Sequence, residues 1–500
     1  MSEPQTETKL RPPGGNIPLR DPYFRNLLIF LLVLTGIRIL INALGLINLS
    51  GDEAQYWDWS RRLDWSYYSK PPGVAVFIWI GTHLFGNTEL GVRFMAALFS
   101  LGAGLVMYGL GKRLIDAKTG AFAAMLLQIV PVTSLYGIGM TPDTPLLFFW
   151  VLSLYFVHRA WTDGKPAHWL GLMCSLGLCM LCKYAILFFY PCAILFLLFT
   201  QQGRRRLRTI WPYIAFLGSF LFFAPVIYWN SRHNWVMFRH DLGHTHAKDG
   251  FVFSPEDFFG FLGGQLGVVT PILCILILIL VIRQRKANPL GFWFTIPVLI
   301  GFLLKSMQGK IQPNWVMTAW LAGLIPAAQF YARSFNKQKA WFRSILTAGW
   351  MIPAVIVLCI HILPFAIAKI PWPKGYSPVS KIVGFQQVAE EVTQLGETMD
   401  RPHFVFSDYY MITAEMAFYV DGQPETYCIN LGSRMNQYDL WPGPDQYMGK
   451  DAIYITKNQP PPVLIEHFDE IILYTTVLDK YRIYQCKGMK SWPTSKAKTY

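Results

Sequence analysis

The chain has 500 residues, of which 53% are hydrophobic, 16% aromatic and only 15% charged, with a formal net charge of +14. Such a composition excludes an ordinary soluble protein and points to a chain that uses lipid as part of its solvent. The positive charge does not mark a nucleic-acid face, because the basic residues sit in short gaps between apolar runs, where they set membrane topology.

The first 25 residues, Met1 to Arg25, are polar and Pro-rich. The apolar stretch from Asn26 is longer than a signal-peptide core, so it reads as a retained first span. Apolar runs then predict about eleven spans, at about 26–48, 91–111, 120–138, 144–160, 168–182, 185–200, 210–229, 259–282, 290–305, 315–332 and 344–369. Leu170–Thr200 is too long for one crossing, and Cys182-Lys183-Tyr184 divides it. Pro71–Phe85 is apolar but short, the pattern of a helix lying in the membrane interface.

Basic clusters test this count. Lys112, Arg113 and Lys118 share one loop, Arg204, Arg205, Arg206 and Arg208 a second, Arg283, Arg285 and Lys286 a third, and Arg333, Lys337, Lys339 and Arg343 a fourth. All fall on the side of the N-terminal tail with Lys9, Arg11, Arg20 and Arg25. The N-terminus is therefore expected in the cytoplasm, and everything after Ile370 outside.

Pro371-Trp372-Pro373 opens a linker into a more polar tail. His403–Ser407, Thr426–Asn430, Ala452–Thr456 and Ile471–Leu478 read as strands and Phe385–Thr398 as a helix. The expected architecture is an α-helical polytopic membrane protein with a small C-terminal extracytoplasmic α/β domain. Its parts are a tail over about 1–25, a membrane domain over about 26–370 with its first outer loop at about 49–90, and the α/β domain over about 371–500. The eight cysteines show no metal spacing, and Cys174, Cys179 and Cys182 read as packing residues. Cys428 and Cys486 fall in the outer region, where an oxidising compartment would allow them a disulfide.

The first outer loop, Ser50–Leu90, carries Gly51-Asp52-Glu53-Ala54-Gln55-Tyr56-Trp57-Asp58-Trp59. Adjacent carboxylates at a membrane surface are costly unless solvated or used. Asp58 and Asp64 read as solvated; Asp52, with Tyr56 and the neighbouring aromatics as a sugar-binding wall, reads as functional. In Ser69-Lys70-Pro71-Pro72 the lysine is held by stiffened backbone at headgroup depth, placed either to meet a lipid phosphate or to anchor the helix. Asp143, between Pro142 and Pro145, either caps the next span or points into a cavity shared with Asp52. Lys183 and the run Lys310-Ile311-Gln312-Pro313-Asn314-Trp315 add polar groups at the outer ends of spans. His244 and His246 have metal-binding spacing but no third ligand, and read as a surface loop.

Asp52-Glu53 after the first span, Ser69-Lys70-Pro71-Pro72 and Pro142-Asp143-Thr144-Pro145 together resemble the GT-C glycosyltransferase superfamily. The resemblance is to bacterial relatives of the dolichyl-phosphate-mannose protein mannosyltransferases and of the 4-amino-4-deoxy-L-arabinose lipid A transferase. It covers Leu27 to Trp150, with Lys310–Trp315 and Ala414–Trp441 similar to one bacterial branch. It implies an inverting transferase in the bacterial inner membrane, moving a sugar from a polyprenyl-phosphate donor to lipid A, another glycolipid or polysaccharide, or protein. Asp52 matches the first-loop catalytic acid, with Glu53 beside it, and Asp143 the second-loop acid. Lys70 matches the lysine on the donor phosphate, and Lys183 adds charge there; Tyr56, Lys310, Gln312 and Asn314 are further candidates for substrate binding. The arabinose transferase has a metal-associated glutamate before its Lys-Pro-Pro. Ser69 stands at that position here, so metal dependence is not carried over; a divalent metal stays open as a cofactor, and no other cofactor is expected. The competing expectation is a transporter or lipid-linked-sugar flippase, whose paired broken helices in two halves are not evident in the sequence.

Overall fold

The computed structural model describes residues 21–244, 253–367 and 380–497. The basic N-terminal tail before Asp21, His246 and the Pro371-Trp372-Pro373 linker lie outside the described residues.

The helical part begins with α1 (Pro22–Ala43), capped by the Asp21 carboxylate, which accepts from the Tyr23 N–H. Next come α2 (Gly51–Ser60), α3 (Gly73–Phe85), α4 (Glu89–Leu114), α5 (Ala117–Ile129), α6 (Pro131–Leu135) and α7 (Asp143–Asp163). They are followed by α8 (Pro166–Met180), α9 (Phe189–Phe199), α10 (Gln201–Arg206), α11 (Trp211–Ser219), α12 (Ala224–Arg232) and α13 (Val236–His244). The series closes with α14 (Pro255–Val269), α15 (Pro271–Arg283), α16 (Pro289–Trp293), α17 (Ile296–Ser306), α18 (Met317–Arg333) and α19 (Ala340–Ile367).

Among the described residues, five helical segments are long and apolar enough to cross a membrane: Pro22–Ala43, Glu89–Leu114, Trp211–Arg232, Pro289–Ser306 and Ala340–Ala366. Helices stand at the other predicted spans too. However, α5, α8 and α9 have only 13, 15 and 11 residues, short of the roughly 20 that a crossing needs. The predicted single span at 259–282 is corrected: α14 and α15 meet at 98°. Pro271 cannot continue the hydrogen-bond ladder of α14, and Thr270 before it takes φ 75°.

One end of the helical part gathers basic residues. Lys112 meets Asp21 at 3.5 Å, Arg113 meets Asp163 at 2.8 Å, and the Arg333 Nε donates to Asp116 at 2.9 Å. Inside the bundle Arg38 donates to Ser100, Gln128 and Ser134 and reaches His361, so one cation ties α1, α4, α5, α6 and α19. Among the described residues no carboxylate shares that network, and its charge is spread over neutral partners.

The opposite end carries α2, α3 and the C-terminal region. There α20 (Ser380–Glu397) precedes β1 (His403–Ser407), α21 (Tyr410–Tyr419) and β2 (Thr426–Cys428). β3 (Asp451–Thr456), α22 (Pro462–Ile465), β4 (Phe468–Val477) and β5 (Tyr481–Met489) complete the chain. The described strands form one sheet in the order β2-β1-β3-β5-β4. β1 runs parallel to β2 and β3, and β5 antiparallel to β3 and β4. The crossover helix of the β1–β2 pair is α21, and it packs its outer face on α2.

This sheet rules out the Cys428–Cys486 disulfide. Cys428 on β2 lies opposite Ser407 on β1, whereas Cys486 on β5 lies opposite Ala452 on β3. Two strands separate the cysteines, so at about 4.8 Å per strand they stand roughly 14 Å apart. A disulfide needs Cα atoms within about 7 Å, and both thiols are free.

Candidate active site

The first loop is itself helical, and its start fixes where its acids point. Ser50 and Glu53 form a capping box: the Glu53 N–H donates to the Ser50 hydroxyl at 3.3 Å, and the Ser50 N–H to Glu53 Oε2 at 3.0 Å. Helical spacing then sets Asp52 and Tyr56 on one face and turns Glu53 inward. Arg93 of α4 donates to both Glu53 oxygens, each at 2.8 Å, and the Met140 N–H donates to Oε1 at 2.9 Å. Burial alone would raise the Glu53 carboxyl, but the Arg93 charge and hydrogen bonds outweigh it and hold it below the ordinary range. A catalytic task for Glu53 therefore gives way to a positioning one, since both oxygens are committed to fastening α2 onto α4 and the loop before α7.

Asp52 keeps exposed surface near the start of α2, with protein around it. That desolvation raises its carboxyl above the ordinary range, against the hydrogen bond from Tyr410 and the charges of Lys70 and Arg434. The Tyr410 hydroxyl lies 3.3 Å from Asp52 Oδ1. Tyr56, buried, has its phenol pushed well up by desolvation and then by the charges of Asp52, Tyr410 and Asp143. Asp143 opens α7 and pairs with Lys183 at 2.7 Å.

The Lys70 segment reaches the Lys183 segment through the backbone. The Gly73 N–H donates to the Leu181 carbonyl at 2.6 Å. A Cβ on Gly73 would lie 2.6 Å from that oxygen and 2.8 Å from Cys182 Sγ, so only glycine permits the contact. Asn314 donates to the Tyr136 hydroxyl at 2.9 Å, while Lys310 and Gln312 lie exposed on the same loop. Asp52, Tyr56, Lys70, Asp143 and Lys183 are thus gathered at one end of the bundle; no contact ties Lys310 or Gln312 to them.

The C-terminal region closes over this site. A Cβ on Gly51 would lie 2.4 Å from the Met411 side chain, which measures how closely α21 seats on α2. The Leu49 N–H donates to the Tyr419 hydroxyl at 2.7 Å, and that hydroxyl to Glu89 at 3.0 Å. The Tyr68 N–H donates to Gln437 at 2.7 Å. The reading of Asp58 as solvated is corrected, whereas Asp64 is exposed as expected. Asp58 is buried and accepts from the Tyr438 hydroxyl at 2.9 Å, and Asp64 accepts from Trp229 Nε1 at 2.6 Å. Both acids serve to dock other elements on the first loop. Glu415 of α21 is buried without a hydrogen bond to either oxygen.

Tyr410 and Arg434 were not legible as site residues, because only folding brings them some 360 and 380 positions back to Asp52 (358 separate Tyr410 from Asp52). Among the described residues no three His, Cys, Asp or Glu side chains gather to hold a metal.

Residues 69–229 match the family model of dolichyl-phosphate-mannose-protein mannosyltransferase. The lipid A galacturonosyltransferase RgtD of Rhizobium johnstonii is 29% identical over 352 residues, covering 69% of this chain and 72% of that one. The structure of ArnT from Cupriavidus metallidurans bound to undecaprenyl phosphate superposes with a TM-score of 0.68 at 16% identity, covering 95% of this chain and 99% of that one. The Archaeoglobus fulgidus oligosaccharyltransferase superposes with a TM-score of 0.51 at 14% identity, covering 95% and 75% of the two chains. The matched segment contains Lys70, Asp143 and Lys183, and the shared fold runs through the C-terminal sheet. The chain is thus similar over residues 69–229 to the protein mannosyltransferase family model, similar in sequence to RgtD, and shares the fold of ArnT.

Proposed function

We propose that the chain is an inverting glycosyltransferase moving a sugar from a polyprenyl-phosphate donor to lipid A on the outer face of the inner membrane. The observation that carries this reading is Asp52 near the start of α2, accepting from the Tyr410 hydroxyl at 3.3 Å, its carboxyl raised by desolvation and opposed by the Lys70 charge. RgtD, by its name, acts on lipid A, and the ArnT structure holds undecaprenyl phosphate, so donor and acceptor classes agree with that site.

The chemistry follows from the charges. A sugar on a polyprenyl phosphate departs from an oxygen that is already part of an anion, so the leaving group needs positive charge more than a proton. Lys70 supplies it in a partly dehydrated setting. Asp52 takes the proton from the acceptor hydroxyl, whose oxygen attacks the anomeric carbon as the bond to the phosphate oxygen breaks. One displacement inverts that carbon. Lys183 is engaged by Asp143, so the pair orients sugar or acceptor.

The test is transfer by purified protein from a polyprenyl-phosphate sugar to lipid A, with a protein acceptor as control. Asp52→Asn keeps shape but loses basicity, and turnover should fall about 100-fold or more. Lys70→Ala should weaken donor binding about tenfold or more, the loss of one charge-assisted contact. Near-normal transfer by both folded variants would move the active site elsewhere.

A further inference from the structure

We propose that a cleft at the β2 edge of the C-terminal sheet, separate from the site around Asp52, binds a saccharide ring that is neutral or carries an amine. Calling that saccharide part of the acceptor rests on the function proposed above; the cleft's chemistry does not.

The cleft has a volume of about 240 Å³ and lies between β2, the segment after it, the end of α2 and the C-terminal tail. Tyr427, Trp441 and Trp492 line it together with the carboxylates of Glu425, Asp439 and Asp445. Aromatic rings pack against the C–H face of a sugar, and carboxylates accept from its hydroxyls or from an ammonium group. The charge selects further. Three carboxylates face one guanidinium, Arg62, which already pairs with Glu425 at 2.8 Å and lies 4.2 Å over the Trp441 ring. A phosphate would be repelled here, so the donor headgroup and the phosphorylated end of a glycolipid are excluded.

The walls are built before any ligand arrives. Asp439 Oδ2 accepts from the Asn430 side chain at 2.9 Å and from the Asn436 N–H at 2.8 Å, while Oδ1 accepts from Ser495 at 2.6 Å. The tail is fastened by the Lys496 N–H on the Asn430 carbonyl at 2.9 Å. Distance gives the cleft its place in the reaction. Arg62 follows the end of α2 and Asp52 sits near its start, so the helix sets the two sites roughly 15 Å apart at 1.5 Å per residue. That separation suits an acceptor of several sugar units, one ring held in the cleft and another presented to Asp52.

The probe is an unphosphorylated β-linked glucosamine disaccharide, titrated into the detergent-solubilised full chain and followed by saturation-transfer NMR. Saturable binding is expected, weakened about tenfold by Trp441→Ala, the loss of one stacked ring. Asp445→Ala should also weaken it; its side chain is exposed, so the change leaves folding unaffected. The same disaccharide bearing a phosphate should bind more weakly. Asp52→Asn and Lys70→Ala should leave disaccharide binding as it was. Absence of saturable binding, or equal affinity in the wild type and both cleft variants, overturns the proposal. Binding lost in Lys70→Ala overturns it too, because the sugar would then occupy the donor site. Should the chain transfer no sugar yet bind the disaccharide through Trp441, the proposed function falls and the cleft stands.

Discussion

Asp52 and Glu53 are neighbours of the same chemistry with opposite fates, and one helical turn decides them. Glu53 faces Arg93 and stays ionised in the interior, whereas Asp52 stands on the exposed side of α2, where the surrounding protein still desolvates it and makes it the stronger base. The adjacent pair was legible in the sequence, but their division of labour was not, because it depends on the capping box turning α2 by a set amount. The same setting yields a pH prediction. The Tyr410 hydroxyl favours the ionised Asp52, so its removal raises that carboxyl further. In Tyr410→Phe the acidic limb of the kcat/KM profile should therefore move to higher pH, with activity recovering on the alkaline side. A limb that stays in place or moves to lower pH would show that Asp52 is not the group titrating.

The strands show how far pattern reaches at the scale of elements. His403–Ser407 is β1 to the residue, and Ala452–Thr456 is β3 less its first residue, because both are apolar runs bounded by turn residues. The helix α21 escaped notice because it is buried on two sides, by the sheet and by α2, and so shows no amphipathic period. The helix α2 was legible through Ser50 and Glu53 but passed as a loop beneath its aromatic residues. Burial on both sides also strands Glu415 of α21. Desolvation, then the Glu53 and Glu89 carboxylates, push its carboxyl well up, with Arg93 opposing, and Tyr481 faces it from the sheet. The folded state therefore holds a proton that the unfolded chain releases above the ordinary carboxylate range, and stability falls as pH rises from there towards the folded value. Glu415→Gln should raise the thermal midpoint at pH 8 more than at pH 5. Equal pH slopes in variant and wild type would exonerate Glu415.

For the molecule as a whole, the basic residues were the most informative part of the sequence. Three contacts among Asp21, Lys112, Arg113, Asp116, Asp163 and Arg333, with Arg206 on the Trp161 carbonyl at 3.1 Å, gather at one end what the loops had separated. The span count was less legible, since apolar length cannot reveal a bend such as that at Thr270. The orientation proposed here predicts labelling. In intact cells an impermeant thiol reagent should reach Asp421→Cys and spare Arg205→Cys, both exposed positions. The reverse pattern would invert the molecule and remove the site from the outer face.

The contact between Gly73 and Leu181 carries a consequence for how the charges near the donor are tuned. Backbone meets backbone there at 2.6 Å, so the spacing of the Lys70 and Lys183 segments is a property of main-chain geometry rather than of side-chain torsions. Little rearrangement is then needed as the phosphate gains charge, which is where electrostatic catalysis is most economical. It also makes the proposed site rigid towards drift: exchanging nearby side chains changes what a substrate touches but not the gauge between the Lys70 segment and the Asp143–Lys183 pair. Only a change in the turn itself could reset that gauge, and glycine is the one residue that lets the turn close.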